Sequence, residues 1–141
     1  MRVFGTLKDM VVELDRQDTW CMDHTLAQII VPMLKQLKKN KQGIPDECWA
    51  DHQDVFTFEY YDEPDDGPLH KKAKASEEAA TKRWDEILEK MIWSFSQVNE
   101  DWVDQYHLGG DRFDREGYTA HSARIQEGID LFAKHFFDLW D

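Results

Sequence analysis

Apolar residues recur at helical spacing in three separate stretches of this 141-residue chain, over about 23–40, 76–105 and 118–139. A repeat of three to four residues places such side chains on one face of a helix. Asp23 or Thr25 can cap the first helix, and Ser76 can cap the second. The sequence therefore predicts three long amphipathic helices that pack against each other through their apolar faces.

Each predicted helix has an apolar stripe wide enough to face a neighbour. Gly128 permits another helix to approach the third helix closely, whereas Pro32 removes a backbone hydrogen bond and should bend the first. Phe137 and Leu131 widen the third stripe, which is typical of a central helix or of one at a subunit interface. The stripes comprise Leu26, Ile29, Ile30, Met33, Leu34 and Leu37 in the first helix, Trp84, Ile87, Leu88, Met91, Ile92, Phe95 and Trp102 in the second, and Ile125, Ile129, Phe132, Phe136, Leu139 and Trp140 in the third.

The N-terminal segment predicts a short additional helix. Thr6 can cap it, and its apolar positions are Leu7, Met10, Val11 and Leu14. Together with the three stripes, this segment predicts a mainly all-α fold, a small helical bundle formed by one domain over 1–141.

Two segments between the helices predict irregular structure. Residues 44–75 form a predicted exposed, β-leaning arm, in which Val55–Tyr61 alternates like a strand with Arg2–Phe4 as its only candidate partner. The acidic, proline-containing turn Asp62–Pro68 interrupts this arm. A polar, glycine-rich loop is expected over 106–117.

The charge balance excludes several classes of function. Acidic residues number 29 against 17 basic residues, a formal net charge of −12, which disfavours direct binding to nucleic-acid backbones and to anionic lipid. No apolar run approaches the length of a membrane span, and the N-terminus lacks a signal-peptide pattern. We expect the protein to be cytoplasmic. In that reducing compartment Cys21 and Cys48 should be free thiols, and we expect both to be small residues that are buried or half-buried.

Two acidic couplets are the sharpest candidates for a catalytic site. Glu86 and Glu89 lie three residues apart on the second helix, and Glu127 and Asp130 on the third. The pattern resembles the E-x-x-E … E-x-x-D motif of all-α nucleoside triphosphate pyrophosphohydrolases, although the couplets lie further apart here. That resemblance implies Mg²⁺ held by the four carboxylates, whereas helical geometry turns both couplets away from the apolar stripes and indicates solvated faces. No other cofactor is expected.

Trp93 is the main candidate for a binding or interface residue. It falls on the polar face of the second helix, beside the Glu86 and Glu89 couplet and opposite the core stripe. An indole in that position is usually covered. We expect the cover to be the 44–75 arm, a second subunit or a ligand. Phe137, near the C-terminus, is a second candidate for a binding or interface residue.

Three stretches together resemble a group of small proteins from tailed bacteriophages, for which no activity is assigned. They are W-C-M-D-H-T-L-A-Q-I-I-V-P-M-L-K-Q-L-K, W-D-E-I-L-E-K-M-I-W-S-F and R-I-Q-E-G-I-D-L-F-A-K-H-F-F-D-L-W-D, which begin at Trp20, Trp84 and Arg124. The resemblance covers about a third of the chain and implies a phage protein in the cytoplasm of an infected bacterium. It carries no catalytic residues over to this sequence.

Three functions remain open from the sequence. The favoured one is a non-catalytic binding or host-modulating protein. It would bind either a protein, for which the negative charge suits a basic partner, or a small nucleotide. The alternatives are a Mg²⁺-dependent nucleotide pyrophosphohydrolase and a virion or assembly component. A homo-oligomer is compatible with each of the three.

Overall fold

The computed structural model describes residues 1–6, 8–49 and 58–140, and the fold is mainly helical as predicted. A two-stranded antiparallel hairpin opens the chain. Five helices and three 3₁₀ turns follow in the described residues, and none of these helices is long and apolar enough to cross a membrane. The strands are β1 (Arg2–Phe4) and β2 (Val11–Glu13), the helices are α1 (Arg16–Trp20), α2 (Met22–Asn40), α3 (Phe58–Asp62), α4 (Pro68–Gln97) and α5 (Arg115–Lys134), and the turns are Asp46–Cys48, Trp102–Tyr106 and Phe136–Asp138.

The three long helices α2, α4 and α5 form the bundle, with α4 at its centre. α4 contacts both α2 and α5, so the prediction that the C-terminal helix might be the central one is wrong. The core lies where the stripes meet, because α4 alone has apolar residues facing both neighbours. Its most buried members are Leu34, Cys48, Ala80, Trp84, Leu88 and Met91.

Gly128 permits the closest approach between α4 and α5, as the sequence predicts. It is buried, and a Cβ atom there would lie 2.5 Å from the backbone oxygen of Lys90 and would also overlap the side chain of Ser94. The Ser94 hydroxyl donates a hydrogen bond of 3.3 Å to the Arg124 carbonyl oxygen at the same contact. The distance between the two helix axes therefore depends on the missing side chain.

Replacing Gly128 by alanine should destabilise the fold by about 2 kcal/mol. Overpacking costs about 1–3 kcal/mol and exceeds the gain of up to ~1 kcal/mol that alanine brings to a helix. Chemical denaturation of the variant would measure this loss. Combining Gly128→Ala with Ser94→Gly should recover part of it, because one of the overlapping groups is removed. Equal or greater stability of the single variant would contradict the prediction.

The predicted helix over 7–14 is wrong, because its described residues belong to a hairpin. β1 and β2 pair with Val3 opposite Val12 and Phe4 opposite Val11. Gly5 adopts a φ of +98°, a left-handed conformation that reverses the chain and that a side chain would strain. The same apolar residues fit an alternating pattern as well as a helical one, and the β-branched valines favour the strand. Leu7 itself lies outside the described residues.

The prediction of an exposed, β-leaning arm over 44–75 is also wrong for the residues of this segment that the structure describes. Cys48 is buried in the core, and α4 begins at Pro68 rather than at Ser76. Within Val55–Tyr61, the residues from Phe58 onward are helical, and Val55 to Thr57 lie outside the described residues. Arg2–Phe4, the predicted partner of this segment, pairs with β2.

A capping interaction that the sequence analysis missed explains the early start of α4. Pro68 occupies the first helical turn, where its missing N–H costs nothing. The Glu63 carboxylate accepts hydrogen bonds from the backbone N–H groups of Leu69 at 2.7 Å and His70 at 3.1 Å. The His70 ring also stacks on Tyr60, with the ring centroids 4.2 Å apart. The acidic turn is therefore a helix cap.

The remaining helix ends differ from the predicted ones by several residues. α2 begins at Met22, which places Asp23 and Thr25 inside its first turns, although it does end at Asn40 with Pro32 in its interior. α5 begins at Arg115, where the Asp114 carboxylate accepts a hydrogen bond of 3.0 Å from the Gly117 N–H. α4 and α5 end at Gln97 and Lys134, short of the predicted 105 and 139. Consequently Trp102, Phe136 and Trp140 lie on short turns or beyond them, and the last two are exposed.

Both cysteines are free thiols, as predicted, but they lie in opposite environments. Cys21 is exposed at the junction of α1 and α2, which makes the expectation of burial wrong for this residue. Cys48 is buried, and loss of solvation raises the pKa of its thiol above the ordinary value.

The two thiols should therefore differ strongly in reactivity. Only the thiolate attacks disulfide reagents, so the native protein should release about one equivalent of thionitrobenzoate quickly, from Cys21. A second equivalent should appear only in denaturant. Cys21→Ser should abolish the fast phase and Cys48→Ala should preserve it. Rapid reaction of both thiols in the native protein would contradict the burial of Cys48.

Candidate functional site

A cleft of about 780 Å³ opens between the C-terminal end of α4, the turn Trp102–Tyr106 and the first half of α5. Its volume lies in the range of small-molecule and peptide side-chain pockets. The chain forms it by reversing direction after Gln97, so that a segment predicted to continue α4 instead folds back over α5. The lining residues that bear on function are Trp93, Gln97, Glu100, Asp101, Trp102, Gln105, Tyr106, His121 and Arg124.

His121 holds three parts of this cleft together. Its Nε2 atom lies 2.8 Å from Gln97 Oε1 on α4. Its Nδ1 atom lies 2.8 Å from the Tyr106 hydroxyl and 3.3 Å from Gln105 Nε2, both on the turn. The ring stacks on Trp102, with centroids 4.4 Å apart and planes inclined by 19°. One imidazole therefore fixes the turn relative to both helices.

The hydrogen bonds around His121 define a single tautomer. Gln97 Nε2 faces the Glu100 carboxylate at 3.4 Å, which leaves Gln97 Oε1 to accept a proton from His121 Nε2. Nδ1 then accepts from the Tyr106 hydroxyl, and the Gln105 amide lies further from the same nitrogen. Both ring nitrogens are therefore engaged in hydrogen bonds within the chain.

Part of the cover of Trp93 within the chain comes from α5. The Arg124 guanidinium carbon lies 3.7 Å from the centroid of the Trp93 ring. The His121 ring lies 5.2 Å from the same indole. Arg124 has no ion-pair partner within the described residues, so its cation is held by the indole alone. Trp93 remains half-buried and forms part of the wall of the cleft.

The four couplet carboxylates are largely exposed and do not converge. Glu89 forms an ion pair of 2.7 Å with Lys38 of α2, which raises the pKa of that lysine, and Glu127 pairs at 2.5 Å with Lys90 of α4. Asp130 accepts a hydrogen bond of 2.8 Å from Gln126. Glu86 is exposed and takes part in none of these contacts. Within the described residues, no three His, Cys, Asp or Glu side chains are arranged to hold a metal ion.

A second cavity, of about 460 Å³, lies between the turn Asp46–Cys48 and the C-terminal turn. His135 is buried at its inner wall, with Nδ1 2.9 Å from the Asp138 carboxylate. Its Nε2 lies 3.0 Å from Glu47, but the angle is outside that of a hydrogen bond, and Lys134 pairs with Glu47 at 2.8 Å. The Trp84 ring, 5.2 Å away, covers the imidazole from the core side. These contacts attach the C-terminus to residues 46–48.

The sequence analysis identified Trp93 but missed the residues that organise the cleft around it. His121, Gln97 and Tyr106 come together only because α4 ends at Gln97 and the turn folds back. One signal for the cleft was present in the sequence. Asp114 lies three residues before Gly117, the spacing of a helix cap, and aromatic residues cluster on both sides of Asp114. Phe137, the other predicted interface residue, is 91% exposed and touches Phe136.

Comparisons of the chain with known protein families, with curated proteins and with solved structures give no match. The geometry of the cleft is therefore the basis for assigning a function.

Replacing His121 by phenylalanine tests the network directly. The new ring keeps the stack on Trp102 but removes both hydrogen-bonding nitrogens, which leaves the buried Gln97 carbonyl unpaired. The expected loss of folding stability is about 1–3 kcal/mol, measured by urea denaturation. His107→Phe, in the exposed loop, is the matched control and should change stability by less than about 0.5 kcal/mol. Equal effects of the two substitutions would count against the network.

Proposed function

We propose that this chain is a non-catalytic binding protein that recognises a basic protein partner through the cleft around Trp93 and Trp102. One observation carries the proposal: the cleft is open, but its imidazole is fully occupied by Gln97, Tyr106 and Gln105. A cleft whose imidazole is held in place by its own chain suits recognition better than turnover.

The chemistry of the lining favours a protein segment as the occupant. Tryptophan, tyrosine and arginine are the residues most enriched at the energetic centres of protein interfaces. Glu100 and Asp101 add two carboxylates at the cleft, and the chain as a whole carries a net charge of −12. Carboxylates beside aromatic faces attract a lysine or arginine side chain and repel a nucleotide phosphate. Arg124 over Trp93 shows such a contact within the chain itself.

The resemblance to small proteins of tailed bacteriophages supports a setting for this function, the cytoplasm of an infected bacterium. There the protein would bind a host or phage protein and alter the course of infection. The pyrophosphohydrolase alternative has less support, because Glu89 and Glu127 are paired with lysines rather than directed towards a common point. No contact in the described residues favours the virion alternative.

Charge reversal at Asp101 provides the sharpest test. Asp101 is exposed and its side chain does not cap the turn that follows, so Asp101→Lys should leave the fold intact. Affinity capture from infected cells, read by quantitative mass spectrometry, should recover a basic protein with the wild type and at least tenfold less with the variant. The interaction should also weaken as salt concentration rises.

Glu78→Lys is the matched control for this experiment. It makes the same change of charge at an exposed position in the first half of α4, away from the cleft, and capture should persist. A partner lost equally with both variants would reflect net charge alone and would overturn the role of the cleft. Stabilisation of the protein by nucleoside triphosphates with Mg²⁺, or their hydrolysis, would instead favour the nucleotide alternative.

A further inference from the structure

The cavity between the turn Asp46–Cys48 and the C-terminal turn contains a buried acceptor that lacks a donor. His135 is 1% exposed, and its Nδ1 atom lies 2.9 Å from the Asp138 carboxylate. A carboxylate accepts hydrogen bonds and donates none, so Nδ1 carries a proton and donates it to Asp138. In the neutral ring Nε2 then has a lone pair, and this atom has no hydrogen-bond partner within the described residues.

The Glu47 carboxylate faces Nε2 but does not supply the missing donor. Its Oε1 atom lies 3.0 Å from Nε2, outside the angle of a hydrogen bond, so two acceptors lie side by side. Lys134 pairs with the same oxygen at 2.8 Å and leaves Nε2 unpaired. A buried acceptor in this state is rare, because it has lost water without gaining a donor. The Trp84 ring covers the imidazole from the core side, which leaves the cavity as the side from which a donor can approach.

The walls of the cavity favour a positively charged donor. Asp46, Glu47 and Asp138 contribute three carboxylates, and Lys134 contributes the one ammonium group among the described lining residues. This excess of negative charge attracts a cation and repels an anion. The volume of about 460 Å³ lies in the range of small-molecule sites and far exceeds the ~30 Å³ that one water molecule takes up.

The same cavity has an aromatic wall. The Trp140 indole lines it and is 62% exposed. A Cβ atom at Gly43 would lie 3.1 Å from this ring, so the glycine lets the indole lie close to the backbone. A guanidinium group is planar, stacks on aromatic faces and presents neighbouring N–H donors along one edge, whereas an ammonium group is a compact point charge. Such an edge suits two acceptors that lie 3.0 Å apart.

We propose that this cavity binds a guanidinium group, which donates to His135 Nε2 and to the Glu47 carboxylate and lies beside the Trp140 indole. The ion pair between Glu47 and Lys134 is no obstacle, because both side chains are about half exposed and such pairs are weak. Among the described residues, the cavity shares no lining residue with the cleft around Trp93. The inference is therefore independent of the function proposed for that cleft.

Titration of the ¹⁵N-labelled full chain with propylguanidine, followed by NMR, tests the proposal. The compound should bind with a Kd of about 1 mM or lower and shift the amide signals of Gly43, Ile44 and His135. N-propylurea keeps the N–H donors without the charge, and tetramethylammonium keeps the charge without the donors. Each should bind about tenfold more weakly. Equal binding of the three compounds, or no saturable binding of propylguanidine, would overturn the proposal.

A second probe distinguishes the two sources of a guanidinium group. N-acetylarginine methylamide represents an arginine within a protein chain. If it binds as tightly as propylguanidine, the cavity takes an arginine side chain of a protein. If propylguanidine alone binds, the ligand is a free small molecule. Both results support a guanidinium site.

The imidazole itself provides a readout that needs no substitution. Long-range ¹H–¹⁵N spectra of the free protein should show the His135 proton on Nδ1 and none on Nε2. The Nε2 signal should then shift as propylguanidine saturates the site. A proton on Nε2 in the free protein at neutral pH, or an Nε2 signal that stays unchanged at saturation, would overturn the role of this acceptor and the proposal with it.

Substitutions at exposed positions test the carboxylate. Glu47→Gln should weaken the binding of propylguanidine about tenfold, because a charge-assisted hydrogen bond is lost. Lys134→Gln should strengthen it, because a competing cation is removed from Glu47. Glu86→Gln makes the same change of charge on α4 outside the cavity and should have no effect. Equal losses in Glu47→Gln and Glu86→Gln would show attraction by net charge alone and would overturn the site.

A further pair of variants tests the aromatic wall. Trp140→Leu should weaken binding about threefold, the loss expected for an exposed contact between a cation and an indole. Phe137→Leu is the control, since Phe137 is 91% exposed in the same C-terminal turn and does not line the cavity. Unchanged affinity of Trp140→Leu would overturn the placement of the cation beside this ring.

Discussion

The close contact of α4 and α5 at Gly128 is the constraint on which the rest of the structure depends. Arg124 and His121 lie four and seven residues before Gly128, and therefore on the same face of α5. The axial distance set at Gly128 determines whether Arg124 reaches Trp93 and whether His121 reaches Gln97. A bulkier residue at this contact would move both pairs apart, so core packing and the geometry of the cleft are properties of one helix pair.

Charge has a different role from the one that the acidic couplets first indicated. Lysines pair across helices with Glu89 and Glu127, while Lys41 pairs with Asp85 and Lys134 with Glu47. Such partly exposed pairs add little stability individually. They do, however, draw the basic side chains into contacts between elements. The excess of carboxylates is left on the surface, where it gives the protein a negative field.

The sequence predicted what depends on local periodicity and missed what depends on distant contacts. The three stripes and the role of Gly128 follow from a helical repeat, and the core contains their residues Leu34, Trp84 and Leu88. The N-terminal segment fits both a helix and a strand, and pairing with β1 decides between them. The cleft was not predictable, because Gln97, Tyr106 and His121 meet only after α4 ends and the chain reverses.

The early end of α4 is what makes room for the cleft. α4 ends at Gln97, so the chain beyond it can turn back and form the cleft. Continuation of α4 to residue 105 would carry Trp102 away from His121, on which its ring now stacks with centroids 4.4 Å apart. The end of one helix therefore decides where the aromatic wall of the cleft lies.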